Sequence, residues 1–125
     1  MNYIGKNFLI EKVSASKISK KYGTPIYCYS YSRLKRNILN LKNNFKSFGP
    51  LLCFSVKSNA NINLLKEIKK LGCGADVVSI GELVVALKAG INVNKIVFSG
   101  VGKASKEIKY AIEKKNIINQ CRVKK

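Results

Sequence analysis

From residue 51 onward, short apolar runs alternate with segments of helical periodicity, and this alternation constrains the fold more than any other feature. The apolar runs 51–57, 75–78 and 96–98 predict strands, and a fourth strand is predicted to begin at Ile117. Strands that alternate with helices at this spacing form parallel sheets, because a parallel connection needs a long crossover. The sequence therefore predicts an α/β fold, and both a barrel and an open doubly wound sheet fit this pattern.

The segments between these strands have the signals of amphipathic helices. From about Asn61 to Leu71, apolar residues recur every three positions and lysines occupy the other face. Ser79 and Glu82 have the spacing of a capping box, so a second helix is predicted to start near Ile80. A third helix is predicted to begin with Ser105 as its cap.

Upstream of residue 51 the sequence predicts one further strand and one further helix. The segment 26–29 is a short run of apolar residues after a Gly-Thr-Pro turn, which predicts a strand. Apolar residues at helical spacing then predict a helix that ends near Phe45, and Gly49-Pro50 separates this helix from the 51–57 run.

Lys57 lies at the end of the 51–57 run, directly before the polar segment 58–61. Enzymes of the α/β class place their chemistry at the carboxyl ends of strands. In a strand of period two, Cys53, Ser55 and Lys57 share one face, while bulkier apolar residues share the other. In a barrel the bulky face would pack against the outer helices, so Lys57 is predicted to reach the barrel mouth from the inside.

The net charge of +18 is the least ordinary property of the composition. Such a charge is typical of proteins that bind nucleic acid or anionic membranes. The lysines are, however, scattered along every predicted element, which a compositional bias towards lysine, asparagine and isoleucine also explains. Solvated helix faces normally carry such charges, so we expect neither a nucleic-acid partner nor a membrane partner.

The remaining composition indicates a cytoplasmic protein without a metal site. The four cysteines form no Cys-x-x-Cys pair, and the sequence contains no histidine. The first residues lack the apolar core of a signal peptide, and no stretch approaches the length of a membrane span. We therefore expect the cysteines to be small buried hydrophobic residues in a reducing compartment.

Four motifs occur in order along the chain and carry a family resemblance. They are Tyr-Gly-Thr-Pro-Ile-Tyr-Cys-Tyr at 22–29, Phe-Ser-Val-Lys-Ser-Asn at 54–59, Gly-Ala-Asp-Val-Val-Ser-Ile-Gly-Glu-Leu at 74–83 and Ile-Val-Phe-Ser-Gly-Val-Gly-Lys at 96–103. Together they resemble the amino-terminal part of the diaminopimelate decarboxylase family, which belongs to the fold-type III, alanine-racemase-like enzymes dependent on pyridoxal phosphate. The resemblance implies a partial (β/α)8 barrel of the TIM type, truncated after about four β/α units.

The resemblance also implies the roles of several residues. Lys57 would be the catalytic lysine that binds pyridoxal 5′-phosphate as an internal aldimine, and this chemistry needs an amine that can become neutral. Asp76 would approach the lysine or the cofactor if its face of the strand points inward, and the alternative is a loop ligand or cap. Glu82 is expected to cap a helix rather than to act in catalysis. The segment 100–103 resembles a phosphate cradle, but it lacks Walker spacing.

The chain departs from the family in length and at its carboxyl end. Family members are about three times longer, so the resemblance implies a truncated and inactive fragment of an enzyme that is a homodimer when complete. We expect three parts, an amino-terminal segment 1–30, a partial barrel 31–118 and a non-family tail 119–125. The tail can be encoded so that a shift of one base restores a family-like sequence, which predicts a frameshift that the nucleotide sequence would test.

The expected function is the decarboxylation of meso-diaminopimelate to L-lysine and carbon dioxide, on an amino-acid substrate. Three alternatives remain open from the sequence. The first is another barrel-type decarboxylase, for ornithine or arginine, and the second is a protein that binds pyridoxal phosphate without catalysis. The third alternative, from a different class, is a basic nucleic-acid-binding domain, for which salt-dependent DNA binding would be the test.

Overall fold

The computed structural model describes residues 2–114 and 118–119, and only the backbone is described at Asn2, Ile118 and Asn119. The chain divides into two compact units, one up to Ser47 and the other from Phe48 onward. The division into parts 1–30, 31–118 and 119–125 stays a prediction, and residues 120–125 of the expected tail lie outside the described residues.

The first unit begins with an antiparallel sheet of three short strands, β1 (Asn2–Ile4), β2 (Asn7–Ile10) and β3 (Val13–Ser14). The turn between β1 and β2 contains Gly5 at a φ of 57°, a left-handed conformation that favours glycine. The sequence pattern does not predict this sheet, because strands of two to four residues are too short to show a clear alternation.

Two helices complete the first unit, α1 (Ala15–Tyr22) and α2 (Tyr31–Asn44). The predicted helix up to about Phe45 is therefore confirmed, and the Ser30 hydroxyl caps it by accepting a 3.2 Å hydrogen bond from the Arg33 amide. The predicted strand at 26–29 is wrong. This segment belongs to neither sheet of the described structure, so it lacks the ladder partner that a strand needs.

The second unit is a parallel sheet with helical crossovers, as the sequence predicts. Its strands are β4 (Cys53–Ser55), β5 (Gly74–Val77), β6 (Ile96–Phe98) and β7 (Ile118–Asn119), paired in that order. Between them lie three helices, α3 (Ile62–Lys70), α4 (Ile80–Lys88) and α5 (Ser105–Glu113). None of the described helices is long and apolar enough to cross a membrane.

The strand before Lys57 is shorter than the 51–57 run suggested. It ends at Ser55, and residues Val56–Ser58 form a single turn of 3₁₀ helix. The Asn59 amide donates a 3.0 Å hydrogen bond to the Val56 carbonyl, and the Ser58 hydroxyl donates a 2.7 Å hydrogen bond to the Ser55 carbonyl. These local bonds satisfy backbone groups that would otherwise continue the ladder, so the period-two argument does not extend to Lys57.

One face of the parallel sheet packs against the three crossover helices and forms the core. On β5 and β6 the fully buried residues of this face alternate with half-buried ones, as expected when only one face is covered, whereas all three residues of β4 are half-buried. The buried residues that form this core are Val56, Leu65, Ala75, Val77, Leu83, Ala86, Ala89, Ile91, Ile96, Phe98 and Ala111. Residues of the opposite face, such as Ser55 and Asp76, are therefore free to carry other chemistry.

Of the two predicted helix caps, Ser79 is confirmed and Ser105 is not, and α3 begins where the periodicity predicts. Asn61 caps α3, and Ser79 caps α4 by accepting a 3.3 Å hydrogen bond from the Glu82 amide. The prediction of Ser105 as a cap is wrong, because Ser105 is the first residue of α5 and Ala104 occupies the cap position. Alanine has no acceptor, and the Glu107 carboxylate supplies one by accepting a 2.8 Å hydrogen bond from the Ala104 amide.

Candidate active site at the carboxyl edge of the parallel sheet

Polar side chains collect where β4, β5 and β6 end. Because the strands are parallel, their carboxyl ends meet at one edge of the sheet. The turn with Lys57 follows β4, and Ser99 follows β6. Asp76 lies one residue before the end of β5, and Ser55 is its direct neighbour in the register with β4. This edge of the sheet is the candidate active site.

Lys57 is exposed in the turn that follows β4. Within residues 2–114 no hydrogen bond or ion pair engages its amine, and the ion pair found there joins Lys70 to Glu67. The structure places Lys57 two residues beyond the carboxyl end of β4, and not within the strand as the 51–57 run predicts. The expected inward direction does not follow from strand alternation, because β4 ends two residues earlier. Its amine is thus available to a ligand that approaches this edge.

Asp76 lies on the face of β5 that does not pack against the helices. Its neighbours Ala75 and Val77 are both in the helix-side core, and Asp76 itself is half-buried. Its Oδ1 atom accepts a hydrogen bond from the Ser99 hydroxyl. Among the described residues Asp76 forms no ion pair with Lys57, so its predicted role in cofactor binding stays a prediction.

Ser55 carries an unsatisfied polar atom beside Asp76. Its Oγ atom is buried and has no hydrogen-bond partner in the described part of the chain. Leaving a buried hydroxyl unpaired costs about 1–3 kcal/mol, so such atoms in proteins usually meet a partner. A bound molecule with a polar atom at this edge would supply that partner, and this observation fits a cofactor-sized ligand near Lys57.

The Cys53 thiol lies on the same strand but is not suited to act as a nucleophile. Burial raises its pKa, and the nearby Asp76 and Cys73 side chains raise it further. Its Sγ atom lies 3.9 Å from the Lys95 carbonyl oxygen, to which it donates a weak hydrogen bond. A thiol with a raised pKa stays protonated at neutral pH, and the protonated form is unreactive.

Two glutamates hold the amino-terminal ends of the helices at this edge. The Glu82 carboxylate accepts a 3.0 Å hydrogen bond from the Val78 amide, which supports its predicted role at the helix start. Glu107 accepts hydrogen bonds from the Ala104 amide and the Ile80 amide, and these lower the pKa of its carboxyl group. Both carboxylates therefore act in structure, by satisfying amides that no helical carbonyl reaches.

The proposed phosphate cradle at 100–103 forms an irregular segment between β6 and α5. The Lys103 amine lies 5.4 Å from the centre of the Phe98 ring, so its charge rests over an aromatic face. Gly100 packs directly on the backbone of Val78, where no side chain fits. The role of this segment in phosphate binding stays a prediction, and no cluster suited to a metal ion occurs among the described residues.

The sequence alone does not indicate a function for two residues of the site, Ser55 and Ser99. The sequence pattern predicts only that Ser55 shares a strand face with Lys57 and that Ser99 closes a strand. Both residues can be identified by their position in the sheet. Each is a small polar residue at the carboxyl end of a strand in a parallel sheet, and its significance depends on which strands are neighbours.

Comparison with known proteins agrees with this geometry. The family model that describes the pyridoxal binding domain of pyridoxal-dependent decarboxylases matches residues 31–123. The diaminopimelate decarboxylase of Helicobacter pylori strain J99 is 47% identical over 97 residues, which are 78% of this chain and 24% of that protein. The chain thus spans about a quarter of the length of the curated relatives it matches.

Solved structures show the same relationship. Diaminopimelate decarboxylase from M. jannaschii in complex with L-lysine has a TM-score of 0.85 and 36% identity, over 94% of this chain and 28% of that one. The Helicobacter pylori enzyme in complex with L-lysine has a TM-score of 0.79 and 40% identity, over 86% of this chain and 27% of that one. These similarities confirm the predicted partial barrel. This chain belongs to the pyridoxal-dependent decarboxylases, as a member of their pyridoxal-binding domain family.

Proposed function

We propose that this chain is the cofactor-anchoring, amino-terminal part of a diaminopimelate decarboxylase, and that Lys57 is the residue to which pyridoxal 5′-phosphate attaches. The complete enzyme would convert meso-diaminopimelate to L-lysine and carbon dioxide. The chain alone would turn over no substrate. The observation that supports this proposal most directly is the Lys57 amine, which no described residue engages, at the carboxyl edge of a parallel sheet in a chain of this family.

Several residues at this edge of the sheet would each make a different contact with the cofactor. Pyridoxal phosphate supplies an aldehyde that condenses with an amine and a ring that withdraws electrons from the bond to be broken. Lys57 would provide the amine, and Asp76 would provide a negative charge beside it. The unsatisfied Ser55 hydroxyl would meet a polar atom of the bound molecule, which removes the cost of its burial.

The substrate and the assembly belong to the same proposal. Relatives named diaminopimelate decarboxylase, at 39% identity or more, support the diaminopimelate branch over decarboxylases for ornithine or arginine. The L-lysine in the two solved complexes supports a small amino acid as the ligand. The complete enzyme would act as a homodimer in the cytoplasm, without a membrane or nucleic-acid partner.

Covalent trapping tests the role of Lys57. The chain is incubated with a limiting amount of pyridoxal 5′-phosphate, reduced with borohydride, digested and analysed by mass spectrometry. We expect the Lys57 peptide to carry at least about ten times more label than the peptide with Lys66, an exposed lysine of α3, because a built site favours one amine over equivalent solvated ones.

Two variants provide the matched comparison. Lys57→Ala should abolish the preferential label, whereas Lys66→Ala should leave the Lys57 label unchanged. Uniform labelling of the chain's lysines in the unaltered protein would contradict the proposal, since it would show solution reactivity alone.

Complementation tests the substrate. This chain would be co-expressed with the remaining part of the Helicobacter pylori relative in a bacterium that lacks diaminopimelate decarboxylase and requires lysine. We expect growth without lysine from the pair, no growth from either part alone, and no growth when Lys57→Ala is introduced. Growth of the Lys57→Ala pair would refute the assigned role.

A further inference from the structure

Asp76 is held by a single side-chain contact. The Ser99 hydroxyl donates a hydrogen bond to Oδ1 of Asp76, across 23 residues of sequence. No other described side chain is bonded to this carboxylate, so Oδ2 remains without a donor. In this half-buried carboxylate one oxygen already accepts a hydrogen bond, and the other oxygen can accept a further one from a bound molecule.

The backbone around Ser99 is fixed independently of its hydroxyl. The Ser99 amide donates a 2.9 Å hydrogen bond to the Val77 carbonyl and so extends the ladder between β5 and β6 by one residue. The next residue, Gly100, lies so close to Val78 that a Cβ atom would be 2.5 Å from the Val78 carbonyl oxygen. Removal of the hydroxyl should therefore leave the backbone in place and free only the Asp76 side chain.

We propose that Ser99 is a positioning residue that fixes the rotation of the Asp76 carboxylate, so that Oδ2 is presented to the molecule bound at Lys57. Ser99 itself does not touch that molecule and acts through Asp76. This inference rests on the proposed function, because it gives Asp76 a role only where pyridoxal 5′-phosphate binds at this edge. The register supports it, since Asp76 lies between Ser55 on β4 and Val97 on β6.

The test measures the concentration of pyridoxal 5′-phosphate that gives half-maximal label on Lys57. Hydrogen bonds to charged groups contribute about 1.5–3 kcal/mol, which corresponds to a weakening of about 10- to 160-fold for Ser99→Ala. Ser99→Thr retains a hydroxyl and should restore the value to within about threefold of the unaltered chain. Asp76→Ala should weaken labelling at least as much as Ser99→Ala.

A double variant separates this role from a general structural one. If Ser99 acts through Asp76, Ser99→Ala should add less than about a twofold effect in a chain that already carries Asp76→Ala. Far-ultraviolet circular dichroism of each variant should match that of the unaltered chain. An effect of Ser99→Ala that persists in full without Asp76 would overturn the proposal, and so would a Ser99→Thr variant as weak as Ser99→Ala.

Different results would refute the proposed function and the positioning role of Ser99. If the unaltered chain shows no preferential label on Lys57, the proposed function fails, and the role of Ser99 fails with it. If Lys57 is labelled preferentially in the unaltered chain but Ser99→Ala has the same half-maximal concentration, only the positioning role of Ser99 is refuted.

Discussion

The close approach of Gly100 to Val78 makes a quantitative prediction about the end of β6. In Gly100→Ala, the new Cβ atom would lie 2.5 Å from the Val78 carbonyl oxygen and 3.2 Å from the Val78 Cα and carbonyl carbon. A carbon and a carbonyl oxygen in contact are normally about 3.3 Å apart, so the two segments must separate by about 0.8 Å. That shift would stretch the 2.9 Å bond between the Ser99 amide and the Val77 carbonyl beyond hydrogen-bond range.

The expected loss is about 1–3 kcal/mol for overpacking and about 0.5–1.5 kcal/mol for the stretched hydrogen bond. With a urea dependence of about 2 kcal/mol per molar, the unfolding midpoint should fall by about 1–2 M. Urea unfolding followed by far-ultraviolet circular dichroism measures this midpoint. If the free energy of unfolding of the unaltered chain is smaller than this loss, Gly100→Ala should be unfolded before urea is added, and this result also agrees with the prediction.

Gly102→Ala is the matched control, because nothing lies within 4 Å of a Cβ atom at Gly102. It should change the stability by less than about 0.5 kcal/mol. Equal midpoints for Gly100→Ala and Gly102→Ala would refute the reasoning, since they would show that the contact with Val78 does not exist in solution.

Three further predictions concern the core, the pH dependence and the sheet edges. Leu65→Ala should lower the free energy of unfolding, measured in urea, by about 2–5 kcal/mol, because Leu65 is fully buried. Ile112→Ala, at a residue of α5 that is 61% exposed, should lower it far less. Equal losses in the two variants would refute the described core. The pKa of Cys53 is raised on folding, so the contribution of this thiol to stability is complete below the unfolded thiol pKa of about 8.5 and is lost as pH rises through the folded pKa. The urea midpoint, measured from pH 7 to 10, should therefore fall less steeply with pH in Cys53→Ala than in the unaltered chain. Equal dependence of the two midpoints on pH would contradict this. The described parallel sheet ends at β4 and β7, and unpaired sheet edges can pair with other chains, so sedimentation velocity should show concentration-dependent association. A chain that sediments as a monomer at every concentration would contradict the prediction.

The sequence predicts the second unit well because its signals are local. Strand β6 is a run of three apolar residues that begins and ends where predicted, and α4 begins after Ser79 as the capping box indicates. In each case the deciding interactions lie within a few residues of one another. The same locality explains the family resemblance, since each of the four motifs is a short segment, and three of them include the end of a strand of the parallel sheet.

The remaining features depend on interactions that a single segment does not show. The segment 26–29 has the composition of a strand but no ladder partner in either described sheet, so propensity alone does not make it one. The turn at Lys57 depends on whether Ser58 and Asn59 bond to the backbone before them. The contact between Asp76 and Ser99 joins two strands, and it becomes visible only when the sheet order and register are known.

The register of the parallel sheet couples the stability of the chain to its chemistry. Asp76 faces away from the helices, while Ala75 and Val77 on either side of it are fully buried against them. A slip of one residue would turn Asp76 into the apolar core and expose Val77, because strand side chains alternate between faces. An unpaired carboxylate in the core costs several kcal/mol or must be protonated, so the slipped register is strongly disfavoured. The burial that stabilises the sheet thus also keeps the Asp76 carboxylate beside Ser99, on the face that does not pack against the helices.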